Sequence, residues 1–332
     1  MIARASFLSG IAAATTAATG GLDVWDAGGP QIRVLVTSDL HGGVPQVLAD
    51  GTFVFERRRW RGAPSTVGLP DGRMALVTTI DVDGYLQGVI PLEEPPSWPQ
   101  QALAAQAIVA RTYALARRTL SRAYDVRADE GDQRWGGVDA ETGTTNAAVQ
   151  LTRGQTLIYG GGPAAVFYSA CCGGHTADIA SAWGGTPLPY LRGVADPHCV
   201  AAPDYRWRRE LPLSQVLAAF GTRTGGTIAA ARLDAVDDSG RPRAVILTGT
   251  QTVSVPIAAF RRALGYDTIR SPWLRSLHVD GPDAAARLVV EGSGRGHGVG
   301  LCQWGARSLA AAGAPAAEIL AFYFPGTAIG SG

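Results

Sequence analysis

The stretch from Trp98 to about Arg118, "WPQQALAAQAIVARTYALARR", constrains the fold more than any other part of this sequence. It holds helix-forming Ala, Leu, Gln and Arg with no glycine, in a chain where glycine occurs 43 times in 332 residues. So many glycines favour turns and close backbone approaches over long helices, which leaves this as the one long helical segment. Ser97 followed by Gln100 matches a capping box, and Pro99 falls in the first turn, where its missing N–H costs nothing. Pro95 and Pro96 hold the preceding chain extended.

The rest reads as short strands and short helices. Ile32 to Asp39 and Gly51 to Arg58 alternate apolar and polar residues as strands do, and the run from Met74 continues in β style to Ile90. Thr152 to Ser169 reads as short strands around a Gly-rich turn. Asp204 to Arg287 mixes a helix (Leu213 to Phe220) with strands such as "RAVILTG". The chain ends in two short helices split by Gly313 to Pro315. These elements predict an α+β fold, a single domain of mixed short strands around the long capped helix, over residues 30–332, with an embellished middle over about 204–287.

With 29 basic and 28 acidic residues the formal charge is +1, and no dense Lys/Arg run appears, so nothing points to nucleic acid. Residues 1–21, "MIARASFLSGIAAATTAATGG", place one arginine before a short, weakly apolar, Ala/Thr-rich run. That pattern is a secretory leader's, too short and mild to span a bilayer. Export would put the mature chain in the periplasm, the cell wall or outside the cell.

Three groups of residues could carry chemistry. The first is Glu93–Glu94. In an extended segment the two side chains face opposite ways, so they cannot act as a facing pair like the two carboxylates of an ordinary glycosidase, about 5–10 Å apart. One points inward and one outward, or both simply favour the helix macrodipole. On the helix, Arg111 shares a stripe with Ala104, Ile108 and Leu115, where a solvated arginine is out of place. It needs either a carboxylate partner or a bound ligand. The second group is "GSGRGHGVGLCQWGA" (Gly292 to Ala306), which lacks the ending of a phosphate-binding loop. Its glycines let the backbone pass close to something, with His297, Gln303 and Trp304 nearby. The third is Tyr168 to Cys199, where Cys172, His175, His198 and Cys199 have ligand types compatible with tetrahedral zinc. A disulfide, Cys172–Cys199 or Cys171–Cys199, fits an exported chain as well. No base stands by to activate a thiol nucleophile.

Four ordered blocks resemble the stage II sporulation protein D / amidase enhancer (SpoIID/LytB) family: "DGYLQGVIPLEEPPSWPQQALAAQAIVARTYALA", "AVFYSACCGGHTADIASAWGGTPLPYLRGVAD", "FRRALGYDTIRS" and "GRGHGVGLCQWGARSLAAAGAPAAEILAFYFPGT". They span most of the chain from about Ile32. The resemblance implies a lytic transglycosylase that cleaves the MurNAc–GlcNAc bond of peptidoglycan, favouring peptide-stripped strands and leaving 1,6-anhydro ends. Its catalytic glutamate falls at Glu93. Glu94 takes a place where the family usually has Met, which suggests an outward or packing role. General acid catalysis near neutral pH asks for a partly apolar surround, for which Leu92, Pro95 and Trp98 are candidates. Arg111, Ser169, His297 and Gln303 become candidates for glycan binding. The resemblance also raises a structural zinc held by Cys172, His175 and Cys199, though no cofactor is required for the reaction. Cys302 stands where Ser is common in the family, and Cys171 doubles the neighbouring cysteine. The implied partners are glycan strands and a separate cell-wall amidase, and the rival reading is a non-catalytic module that binds glycan and stimulates that amidase.

Overall fold

The strand that starts at Met74 stops at Asp81, well short of Ile90, and the chain turns directly into a helix, α1 (Val82–Glu93). Asp81 is the reason. Its backbone is extended and its carboxylate accepts a hydrogen bond from the N–H of Gly84 at 2.9 Å, satisfying one of the donors a helix start leaves open. The β-like spacing of "DVDGYLQGVI" therefore belongs to a capped helix. Gly88 lies in its middle because a Cβ there would meet Trp135 Nε1 at 2.6 Å and the Gly137 carbonyl oxygen at 2.7 Å. The computed structural model describes residues 29–40, 43–282 and 285–331, and the leader, residues 1–21, lies outside them.

The chain divides into two compact units, where the sequence suggests a single domain. The first runs to Phe167 and resumes at Leu309, and the second is Tyr168–Ser308. In the first, Ala63–Gly68, Met74–Asp81, Gln31–Thr37 and Val126–Arg127 form a four-stranded sheet in that order. Its pairings are antiparallel except the last. The long helix, α2 (Gln100–Leu115), begins two residues later than the sequence suggests. Pro99 stands at its N-cap with no side-chain cap bond, so the Ser97–Gln100 box does not form. Every residue of α2 from Ala102 to Leu115 is buried. The helix is enclosed on all faces rather than along one stripe, and alanine at six of those fourteen positions lets neighbours approach closely. Around it pack α1, α3 (Gly143–Leu151) and the strand Gln155–Tyr159, with the C-terminal helix Ala316–Tyr323 also against it. Ile32, Leu76, Tyr85, Ile90, Leu103, Val126 and Trp135 are among the core they share.

The second unit holds α4 (Ile179–Trp183), α5 (Leu213–Thr224) and α6 (Ile257–Leu264). One antiparallel sheet orders Trp207–Pro212, Arg287–Gly292 and Leu274–Asp280. A second orders Ala230–Leu233, Ala244–Thr248 and Thr252–Pro256. Their apolar faces and α5 and α6 build a separate core in which Phe220 and Phe260 stack at 5.7 Å. A short parallel pair joins Tyr168–Ser169 to Leu301–Cys302, which leads into α7 (Gln303–Ala311). After it comes α8 (Ala316–Tyr323), so the two terminal helices stand as expected.

Candidate active site and cysteine cluster

Glu93 is the last residue of α1 and Glu94 its C-cap, with Glu94 alone extended and its N–H bonded to the Ile90 carbonyl at 3.0 Å. The two carboxyls do part company, but at a helix end rather than along an extended strand. Glu93 keeps partial exposure. Glu94 is only 1% exposed, and neither of its carboxyl oxygens has a hydrogen-bond partner among the described residues. Of the two roles expected for Glu94, outward or packing, the structure gives it the packing one. Burial, and then the neighbouring Glu93 charge, push its carboxyl well above the usual range, which favours the protonated acid. Burial likewise raises the phenols of Tyr85 and Tyr113, with Glu93 adding in the same direction, so both stay protonated. Tyr113 donates to Asp132 Oδ1 at 2.9 Å, and Arg117 reaches the same oxygen at 3.1 Å while lying over the tyrosine ring. Of the apolar candidates beside Glu93, Leu92 is 37% exposed, Pro95 is exposed and Trp98 packs partly against the core.

Arg111 has taken the carboxylate-partner alternative. It is 0% exposed; its Nε donates to Asp83 Oδ1 at 2.8 Å, and its other nitrogens reach the Val149 and Gln155 carbonyls and Thr152 Oγ1. Desolvation lowers its pKa, with Asp83 acting against that. The guanidinium binds α1, α2 and the end of α3 together and offers no free face to glycan.

Ser169, His297 and Gln303 come together in the second unit through the parallel pair, in which Ser169 stands opposite Cys302. Ser169 Oγ accepts the Gly298 N–H at 3.2 Å. His297 Nδ1 accepts the Val299 N–H at 3.0 Å, which puts the neutral ring's proton on Nε2. Burial, and the positive charge of Arg261, push the His297 imidazole down to about 3. It is thus a neutral donor, not a proton shuttle, at neutral pH, and Trp183 packs on it with ring centres 5.0 Å apart. All three side chains are nearly closed to solvent, so they shape the Gly-rich loop more than they present groups at its surface. What that loop passes close to is the segment 169–173. Gly294, at φ 82°, lies where a Cβ would be 2.5 Å from the Cys171 carbonyl oxygen, and Arg295 and Cys171 exchange backbone hydrogen bonds.

The same crossing gathers four side chains that the sequence leaves scattered. One ligand atom each of Cys172, Asp196, Cys199 and Cys302 lies within 4.8 Å of the others, and all four residues are buried. Cys172 and Cys199 belong to the expected metal set. His175 stands outside this group, its Nδ1 donating to the Thr176 carbonyl at 2.7 Å. All four cysteines of the chain carry free thiols in this structure. Sequence reasoning passed over Asp196 and Cys302 as ligands. The signal for Asp196 was its place three residues before Cys199; none pointed to Cys302.

A family model described as "Stage II sporulation protein" matches residues 70–159, the stretch containing Glu93, Glu94 and Arg111. An uncharacterized protein of Brachyspira hyodysenteriae is 32% identical over 264 residues, covering 77% of this chain and 68% of the relative. The chain belongs to the SpoIID/LytB family. Stage II sporulation protein D of Bacillus subtilis is 25% identical over 286 residues, 80% of this chain and 79% of its own. The amidase enhancer of the same organism is 27% identical over 297 residues, 74% of this chain but only 40% of the enhancer. These relatives give the SpoIID/LytB chain a cell-wall-related function. Among the described residues no helix is long and apolar enough to cross a membrane.

Proposed function

We propose that this SpoIID/LytB chain is an exported lytic transglycosylase, cleaving the MurNAc–GlcNAc bond of peptidoglycan glycan strands, preferably peptide-stripped ones, with Glu93 as its single acid and base. The observation that carries this reading is the division of labour between neighbours. Glu93 retains surface at the end of α1, whereas Glu94 is buried and unable to meet a substrate. One carboxyl suffices for the chemistry. The Glu93 carboxyl gives its proton to the leaving glycosidic oxygen; the resulting carboxylate then takes the proton of the muramoyl C6 hydroxyl as that oxygen bonds to C1. The ring closes to the 1,6-anhydro form, no water is consumed, and the glutamate ends as it began.

The test uses purified protein and peptide-stripped glycan, with mass spectrometry of the products. Anhydro-ended fragments are expected, and Glu93→Gln should lower their rate about 10²–10⁴-fold, the usual contribution of a positioned acid, with the circular dichroism spectrum unchanged. The amidase-enhancer relative supplies the rival, a module that binds glycan and stimulates a separate amidase. If the Glu93→Gln protein released fragments as fast as the unaltered chain, or neither released any, the lyase reading would fail and the binding module would stand.

A further inference from the structure

We infer that Cys172, Asp196, Cys199 and Cys302 form a closed, four-coordinate site for a thiophilic divalent cation such as Zn²⁺, with His175 taking no part. This rests on the second unit alone and is independent of the reaction assigned to Glu93.

Distances decide between the two readings that the cysteines allow. Cys172 Sγ and Cys199 Sγ are 3.6 Å apart. A disulfide holds its sulfurs at about 2.05 Å, whereas two thiolates about 2.3 Å from a tetrahedral zinc lie about 3.8 Å from one another. Asp196 Oδ2 is 3.1 Å from Cys172 Sγ, again the scale of a tetrahedral edge. The donor set of three sulfurs and one carboxylate oxygen suits a soft or borderline cation rather than Mg²⁺ or Ca²⁺.

The surrounding bonds hold each donor in place. The Cys172 N–H points to Cys302 Sγ at 3.2 Å. Asp196 Oδ1 accepts the His198 N–H at 2.9 Å, which turns Oδ2 toward the sulfurs. A buried guanidinium, Arg241, donates through Nη2 to the carbonyls of Cys172 and His175 at 3.0 and 2.7 Å. Four anionic donors and one divalent ion leave a net negative centre, and burying that centre calls for a cation beside it. Arg241 meets that need.

Four protein ligands leave no open position, the mark of a structural site rather than a catalytic one. As the ion binds, the thiols release their protons to solvent. The ion would join three segments, 172, 196–199 and 302, and residue 303 begins α7. Its loss should therefore loosen the loop around His297 and the start of that helix.

The experiment purifies the full chain under reducing conditions and measures metal by mass spectrometry, then exchanges it for Co²⁺. One ion per chain is expected, with the intense visible bands of tetrahedral cobalt and a near-ultraviolet sulfur-to-metal band. Cys199→Ser, Cys302→Ser and Asp196→Ala should each lose the ion or the tetrahedral spectrum, while His175→Ala keeps both. A metal-free chain whose intact mass shows an oxidised Cys172–Cys199 bond would overturn the inference. So would an ion lost with His175→Ala but kept with Asp196→Ala and Cys302→Ser. Should a cysteine variant fail to fold, the His175→Ala chain decides: it should keep the tetrahedral cobalt spectrum with its sulfur-to-cobalt band, and loss of that spectrum would overturn the ligand set.

Discussion

Glu94 buries a carboxyl that meets no hydrogen-bond partner among the described residues, and a proton makes that burial tolerable. Its folded pKa lies above the ordinary 4.5, so the folded state holds this proton at pH values where the unfolded chain has released it. The stability supplied by the proton is full below about pH 4.5 and declines as pH rises toward the folded value. Replacing Glu94 by Met removes both the orphan oxygens and the titration. Glu94→Met should raise stability near neutral pH by about 1–3 kcal/mol, and urea unfolding at several pH values should show that gain shrinking toward pH 4. A gain independent of pH would mean that Glu94 titrates alike in both states. The resemblance proposes Glu93 as the reactive carboxyl, and the residue keeps partial exposure at the end of α1. The burial of Glu94 was not legible, because it depends on what surrounds residue 94.

At the scale of elements, Arg111 acts as a bolt. Its donors tie Asp83 in the first turn of α1 to the Val149 carbonyl in α3 and to Thr152 just after it. Removing the partner strands a fully buried charge, which costs about 3–5 kcal/mol. Asp83→Ala is expected to destabilise by that amount in denaturant titration, and Arg111→Met by less, since the charge leaves with the side chain. If the double variant lost the sum of the single losses, the two residues would not be coupled. Periodicity placed α2, α5 and the two terminal helices, because their apolar spacing and breakers are local. It carried the Met74 strand too far, because the Asp81 cap that ends it was read as part of the alternation. It passed over α3, although Thr142 accepts the Thr145 N–H in a recognisable cap.

For the whole molecule, two units with separate cores predict unfolding that is not two-state. Calorimetry should give a total enthalpy above the van't Hoff value. Phe260→Ala, which deletes one ring of a stacked pair in the second core, should cost about 3–5 kcal/mol there. It should move only the transition of residues 168–308, as read by amide exchange. A single transition shifted as one body would show that the units unfold together.

The sequence by itself determined the α+β class, the presence of the long helix and the SpoIID/LytB membership. Each of these is written in local spacing or in ordered motifs. Only the tertiary structure decided that Glu94 goes inside, that Arg111 is consumed by Asp83, and that Asp196 and Cys302 join Cys172 and Cys199. Those outcomes depend on segments up to 130 residues apart meeting at one point. Burial and ligand geometry are properties of such meetings, and no local stretch of the chain carries them.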